Sequence, residues 1–426
     1  MKFHFYSLTN LIAIFFFIMV STACKKKEMP APNPCDNPPC NTTPKDSFMV
    51  WQVPMTPDYK YGFSMDPVLD GNYLYFSNLF TAPGAPIHKV NKLTGEHIWI
   101  TNSDCKYEQE TRNFFYQTES KIVLKQYYCL NFRNKSDGAI LNEINFKDFD
   151  NGACYPRLSG FGNWVFVVTT QYNKDPLTAR NNLVRCNIDS YKMDTLFSLP
   201  YLNGYEQAIE PPAAYVAPGG DTMLLFQSRN YNFKKVDGRI DFFCFNMTQR
   251  KLVWRLEDIE ENGTGSINTP QIVGDRVYYQ GSNELFMFDI ATGDKIWSRR
   301  FPGESYFYTQ NLIVGNTIFV KDDGDRFKAL DLNTGNTLWE AYGEYGGGLG
   351  PAYANGIVFI MGTDEGYAAI YGLRADTGKQ FWKYRTPNYK KFSDSTFGYI
   401  DMISDPETGY LYTGDGVFMM CLKPPK

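Results

Sequence analysis

Histidine, the side chain best suited to moving protons near neutral pH, occurs only three times in 426 residues. His4 falls in an apolar leader, and His88 and His97 lie in the two strands of one predicted hairpin, where they read as strand-surface residues. A Ser–His–Asp relay or a histidine-rich metal site therefore has little to draw on. Lys321-Asp-Asp-Gly-Asp325 offers oxygens to a hard cation. It lacks the spacing and the closing Glu of an EF-hand loop, and reads as a turn. Gly343-Glu-Tyr-Gly-Gly-Gly-Leu-Gly-Pro351 has no Lys-Ser/Thr pair and no helix after it, so it reads as a connection and not as a phosphate cradle. The acidic run 257–262 reads as a second, solvated connection. No catalytic, cofactor-binding or metal-binding residue is assigned.

Cysteine carries the remaining chemistry. The chain has nine. Cys24 follows the apolar run Leu11-Ile-Ala-Ile-Phe-Phe-Phe-Ile-Met-Val20, and Lys2 precedes that run. The run is shorter than the roughly 20 residues a membrane span needs, so 1–23 reads as an export signal. Ser21-Thr-Ala-Cys24 resembles a bacterial lipobox, with Ser21 where a larger aliphatic residue is usual. That implies cleavage before Cys24 and acylation of its thiol, and a diacyl group plus an amide-linked chain would anchor stably. Residues 24–47 are rich in Pro and polar side chains and read as an extended tether. Lys25 after the cysteine favours the outer membrane by resemblance to lipoprotein sorting rules. Cys35 and Cys40 could close a small loop, and Cys105 and Cys154 are the loop cysteines that could pair. Cys129, Cys186, Cys244 and Cys421 lie in apolar strand text and read as buried thiols.

The elements that would hold any site are repeats. Leu285-Phe-Met-Phe-Asp-Ile-Ala-Thr-Gly-Asp-Lys-Ile-Trp297 recurs as Phe327-Lys-Ala-Leu-Asp-Leu-Asn-Thr-Gly-Asn-Thr-Leu-Trp339, and again over 369–382. A strand–turn–strand unit with a period near 40 is the mark of a β-propeller. Turn-plus-apolar-strand starts recur near 70, 119, 162, 220, 274, 315, 355 and 408, which predicts eight blades of four antiparallel strands. Seven is the alternative count, because the units near 142 and 195 are weak. The last unit stops before its outer strand, and Phe48-Met-Val-Trp51-Gln-Val53 has that strand's character. Pairing the two would close the ring over 48–426 and leave few open edges. The Trp residues read as packing between blades, and truncating Trp339 would cost roughly 3–5 kcal/mol if the ring is buried. A 43% hydrophobic and 16% aromatic composition suits such broad strand surfaces, and a net charge of −4 without a basic stripe excludes nucleic acid as a partner.

The frame (Ala/Phe)-x-(Asp/Asn)-x-x-Thr-Gly-x-x-x-Trp resembles the repeat of the pyrroloquinoline-quinone-like β-propellers. The resemblance covers most of 48–422. That family includes quinoprotein alcohol dehydrogenases and a non-catalytic lipoprotein branch that belongs to an outer-membrane assembly machine. The dehydrogenase branch implies adjacent cysteines and a calcium cluster, and no position of this chain matches either. The resemblance thus implies a lipid-anchored, non-catalytic, protein-binding scaffold in the bacterial outer envelope, facing the periplasm or the cell surface, with no cofactor. The alternative is a cell-surface carbohydrate-binding lipoprotein, and a quinoprotein dehydrogenase is a third reading. Loops at one end of a propeller converge on its channel. Tyr306, Tyr308, Tyr342, Tyr345, Tyr389 and Tyr399 sit in or near such loops and are the candidate partner-facing residues, suited to protein or glycan contacts. Cys24→Ala is expected to abolish incorporation of labelled palmitate and to leave the leader uncleaved, which metabolic labelling and gel mobility would show.

Overall fold

The computed structural model describes residues 47–56, 66–77, 86–102, 114–125, 129–146, 153–171, 180–200, 207–230, 240–260, 268–301, 310–321, 326–343, 345, 350–365, 367–390, 397 and 401–425. Strands form eight antiparallel sheets, each the blade of a propeller. In chain order the blades span 68–102, 114–145, 153–200, 207–256, 271–300, 312–342, 352–385 and 403–422. The weak repeats near 142 and 195 are complete blades, with outer strands Ile140–Asn145 and Met193–Pro200. The seven-blade alternative is set aside. First strands of adjacent blades contact one another in blades two to five and in seven and eight, which places them innermost. The middle strands are buried along their length, as in Phe242–Asn246 and Phe418–Leu422. Such strands are covered on both faces by neighbouring blades and read as continuous apolar text.

The ring closes as the chain's two ends predict. Met49–Pro54 runs antiparallel to Phe418–Leu422, with Gln52 opposite Met420 and Val53 opposite Met419. Blade four departs from the pattern. Its inner strand is split into Gln207–Ile209 and Ala213–Val216, both paired with Thr222–Asn230. Pro211 and Pro212 fall in the gap, where the missing N–H groups cannot extend the ladder.

The repeated motif works across blades. In blade six the Asp331 carboxylate accepts from the N–H groups of Asn333 and Thr334 at 3.0 and 2.9 Å, and Gly335 takes φ = +69°. Bonds to Thr334 hold the Asp331 carboxyl below its usual range. Trp297 of the preceding blade lies against Gly335, where an added Cβ would sit 3.0 Å from the indole. Its Nε1–H donates to the Leu332 carbonyl at 3.1 Å. The same bond runs from Trp51 to Lys92, Trp99 to Lys135, Trp254 to Ile290 and Trp339 to Ala375, over 2.9–3.3 Å. In each case the indole covers the glycine of the next blade's turn: Gly95, Gly138, Gly293 or Gly378.

A β-bulge aims the indole. In seven blades the register of third and fourth strands shifts at one place, as where Phe288 faces Lys295 but Met287 faces Trp297. The extra residue points outward, and Ile98, Leu141, Val253, Ile296 and Leu338 are exposed there at 43–55%. In blade three the shift falls between Leu183 and Val184, two residues earlier, and the extra residue, Leu196, is buried.

Two expectations are corrected. Cys129 is buried but disulfide-bonded, whereas Cys186, Cys244 and Cys421 are buried free thiols. His88 is buried, at 3% exposure, not on a strand surface. Trp339 is half-buried, so the full core penalty does not apply to it, whereas Trp51 and Trp382 are 5% exposed. The turn glycines separate seam packing from backbone strain. Gly315 has φ = +55° with open space at its Cβ, so Gly315→Ala is expected to cost about 1 kcal/mol. Gly378 has φ = +70° and its Cβ would overlap the Trp339 ring, so Gly378→Ala is expected to cost roughly 2–4 kcal/mol in denaturant unfolding.

Candidate functional site

Strand direction divides the propeller into two ends. The connections between first and second strands and between third and fourth strands lie at one end, and are tight. The crossovers between blades and the second-to-third connections lie at the other. Blades three, four and seven extend toward that crossover end. Their second strands, Trp164–Gln171, Thr222–Asn230 and Ile357–Asp364, run eight or nine residues, against five in blades five and six. A surface with added length on a rigid frame is where ligands and partners are met.

Of the candidate tyrosines, Tyr342 closes an outer strand at this end and is 71% exposed, its hydroxyl donating to Glu340 at 3.0 Å. Burial acts to raise the Glu340 carboxyl, but the Tyr342 and Lys328 contacts outweigh it and hold the carboxyl low. Tyr345 is 3% exposed and packs edge-on against Tyr371 at 5.4 Å, so it presents no ring to a partner. Gly343 makes the fold-back feasible, because a Cβ there would lie 2.7 Å from the Tyr345 ring. Tyr389 belongs to the 3-10 turn Pro387–Lys390. Its side chain, together with Tyr306, Tyr308, Tyr399 and Cys24, lies outside the described residues.

Tyr367 was not singled out by its sequence, yet it is 48% exposed at the same end. The Arg385 guanidinium lies 5.3 Å from its ring centre and also pairs with Asp364 and Glu365. Lys383 adds a 2.9 Å contact to Asp364, and these two cations hold the Asp364 carboxyl below its usual range. The signal available in the sequence was length, since this repeat has more residues between its turn glycines than the two before it.

Buried carboxylates fasten the crossovers to the blades beneath. Glu260 accepts from the Asn283 N–H at 2.9 Å, and burial raises its carboxyl. Asp241 accepts from the Asp258 N–H at 3.0 Å and pairs with Arg255. Asp415 accepts from Thr386 Oγ1 at 2.8 Å and Asn388 Nδ2 at 2.9 Å. Among the described residues no group of three or more His, Cys, Asp or Glu side chains is arranged to hold a metal ion.

The two histidines form a wired pair at the ring closure. His88 Nε2 meets the Met55 carbonyl at 3.0 Å, and Nδ1 meets His97 Nε2 at 3.1 Å. A carbonyl only accepts, so His88 Nε2 carries the proton and Nδ1 accepts from His97. Phe76 stacks on the ring at 4.5 Å. Burial, then the neighbouring His97, lowers the His88 pKa to about 3.

Comparison with known proteins extends this picture. Residues 236–396 match the family model described as outer membrane protein assembly factor BamB. The Escherichia coli K12 protein of that name is 26% identical over 142 residues, 31% of this chain and 34% of that protein. Tetrathionate hydrolase of Acidithiobacillus ferrooxidans is 26% identical over 160 residues, 31% of each. The chain thus spans about a third of the length of these curated relatives. Among solved structures, BamB from Moraxella catarrhalis superposes with a TM-score of 0.59 at 13% identity, covering 88% of this chain and 97% of that one. Quinohemoprotein alcohol dehydrogenase from Comamonas testosteroni superposes with a TM-score of 0.63 at 9% identity, covering 89% and 77%. At these identities the likeness concerns the fold, which catalytic and assembly proteins share.

His88 makes the closure acid-sensitive. Its folded pKa lies below the unfolded value near 6.5, so its contribution is intact above that pH and is lost as pH falls toward about 3. The slope is up to about 1.4 kcal/mol per pH unit. Denaturant unfolding of wild type and His88→Gln between those pH values is expected to show a shallower acid limb in the variant.

Proposed function

We propose that this chain, whose repeats are of the pyrroloquinoline-quinone-like β-propeller type, is a lipid-anchored scaffold that binds a protein partner of the outer envelope through its crossover end. The carrying observation is the match of 236–396 to the assembly-factor family within a closed ring of eight blades. A disulfide at Cys129 fits an oxidising compartment, in keeping with the reading of 1–23 as an export signal. Cys24 would hold the anchor, and residues 25–47 would serve as the tether. The blades supply rigidity, and the lengthened hairpins and exposed Tyr342 and Tyr367 supply contact surface. Tyrosine suits that role because it brings a large apolar ring and a polar tip at small entropic cost. The same two rings favour a glycan as the second reading.

A photo-crosslinking residue at position 342, on the crossover end, is compared with one at Thr334, exposed on the opposite end. In solubilised envelopes position 342 is expected to capture a discrete protein and position 334 none. Equal capture at both, or none at 342 together with binding on a glycan array, would reject the protein-scaffold reading.

A further inference from the structure

The outer strands differ in charge around the ring. Met49–Pro54, His97–Asn102 and Ile140–Asn145, in blades eight, one and two, hold one formal charge between them, Glu143. Lys251–Leu256 and Lys295–Arg300, in blades four and five, hold five: Lys251, Arg255, Lys295, Arg299 and Arg300. The uncharged sector is also apolar and open to solvent. Ile98 is 45% exposed, Ile100 52%, Ile140 41% and Leu141 43%, and Leu93 in the adjoining turn is 45% exposed. Ile98, Ile140 and Leu141 begin their outer strands, and Leu93 lies in the turn before one, so these side chains share the tight-turn end. Met49 begins its outer strand at that end too, one blade away. The chain therefore enters the ring beside the patch, and the crossover end points the other way.

We infer that the rim of blades one and two, Leu93, Ile98, Ile100, Ile140 and Leu141, rests on the surface of the lipid bilayer. The inference rests on the reading of Cys24 as a lipid anchor. A tether that enters the ring beside the patch keeps the bilayer at high effective concentration, so a shallow apolar contact suffices where the same patch would not bind free in solution. Charged strands would lose hydration there, and these strands carry almost no charge. Glu96 and Asp137 stand exposed on the turn tips beside the patch, which limits the contact to the interface. Resting on this rim leaves the crossover end free to meet a partner.

The full-length acylated chain is reconstituted into phospholipid vesicles with brominated acyl chains, carrying one fluorescent residue at position 100 or at position 338. Leu338 is the control, because it is equally exposed, at 55%, on the outer strand of blade six. Vesicle flotation reports the anchor, and quenching reports contact. Quenching several-fold stronger at 100 than at 338 is the expected result. A chain that floats but is quenched equally at both positions, or at neither, overturns the rim contact and leaves the anchor standing. A chain that does not float removes the anchor and this inference with it. A dimer in sedimentation that Ile100→Ser dissociates would assign the patch to a second copy and overturn the membrane reading.

Discussion

The structure depends on an indole reaching from one blade into the turn of the next. Blades radiate from an axis, so the gap between neighbours is widest at the outer strand, and a large side chain is needed there. Tryptophan fills the gap and donates its N–H to a carbonyl in the next blade's turn. Such a bond contributes about 1 kcal/mol net. The turn must offer a residue without a Cβ, in the left-handed region, directly under the ring. Glycine satisfies both demands at once. Five seams are built this way.

The exceptions follow from the same geometry. Blade two has no Trp in its outer strand, and the next blade's turn has Tyr191 at φ = +58° where glycine stands elsewhere. That ring packs on Phe132 at 5.0 Å, and Lys121 Nζ donates to the Ile188 carbonyl at 3.1 Å, so two side chains share the work of one indole. Blade three also lacks Trp in its outer strand, and the next blade's turn has Arg250 at φ = +55°, bonded to Asp194 and to the Thr195 carbonyl. Phe197 packs that seam on Phe226, Phe243 and Phe245. At blade eight there is no third-to-fourth turn, because its outer strand comes from the other end of the chain. Among the described residues the buried Trp382 indole N–H accordingly has no hydrogen-bond partner, and Phe48 packs edge-on against the ring at 5.7 Å.

The two ends of the propeller divide the labour that results. The tight-turn end is occupied by seam chemistry, which leaves little latitude for change. The crossover end is tied down by Glu260, Asp241 and Asp415, yet its hairpins vary in length from blade to blade. Variable loops on a fixed frame are how one fold serves unrelated functions, which is why proteins as different as a hydrolase and an assembly factor share similarity with this chain.

The sequence by itself determined the propeller fold, the strand text and the closure of the ring, because each rests on local periodicity and on the complementary ends of one blade, while the choice of eight blades over seven waited for the complete outer strands Ile140–Asn145 and Met193–Pro200. It also displayed the motif as degraded wherever Gly or Trp was missing. Only the tertiary structure showed that the Gly and Trp of one repeat serve different seams, so that a missing Trp in one blade excuses a missing Gly in the next. The indole's bond to the next turn's carbonyl spans 36 residues, as from Trp254 to Ile290 and from Trp339 to Ala375, and leaves no local trace. Tyr342 and Tyr345 stand three residues apart in one connection, and only folding exposed the first and buried the second, because Gly343 lets the chain double back. His88 and Cys129 read as surface and thiol for the same reason: burial and partnership are set by residues distant in the chain.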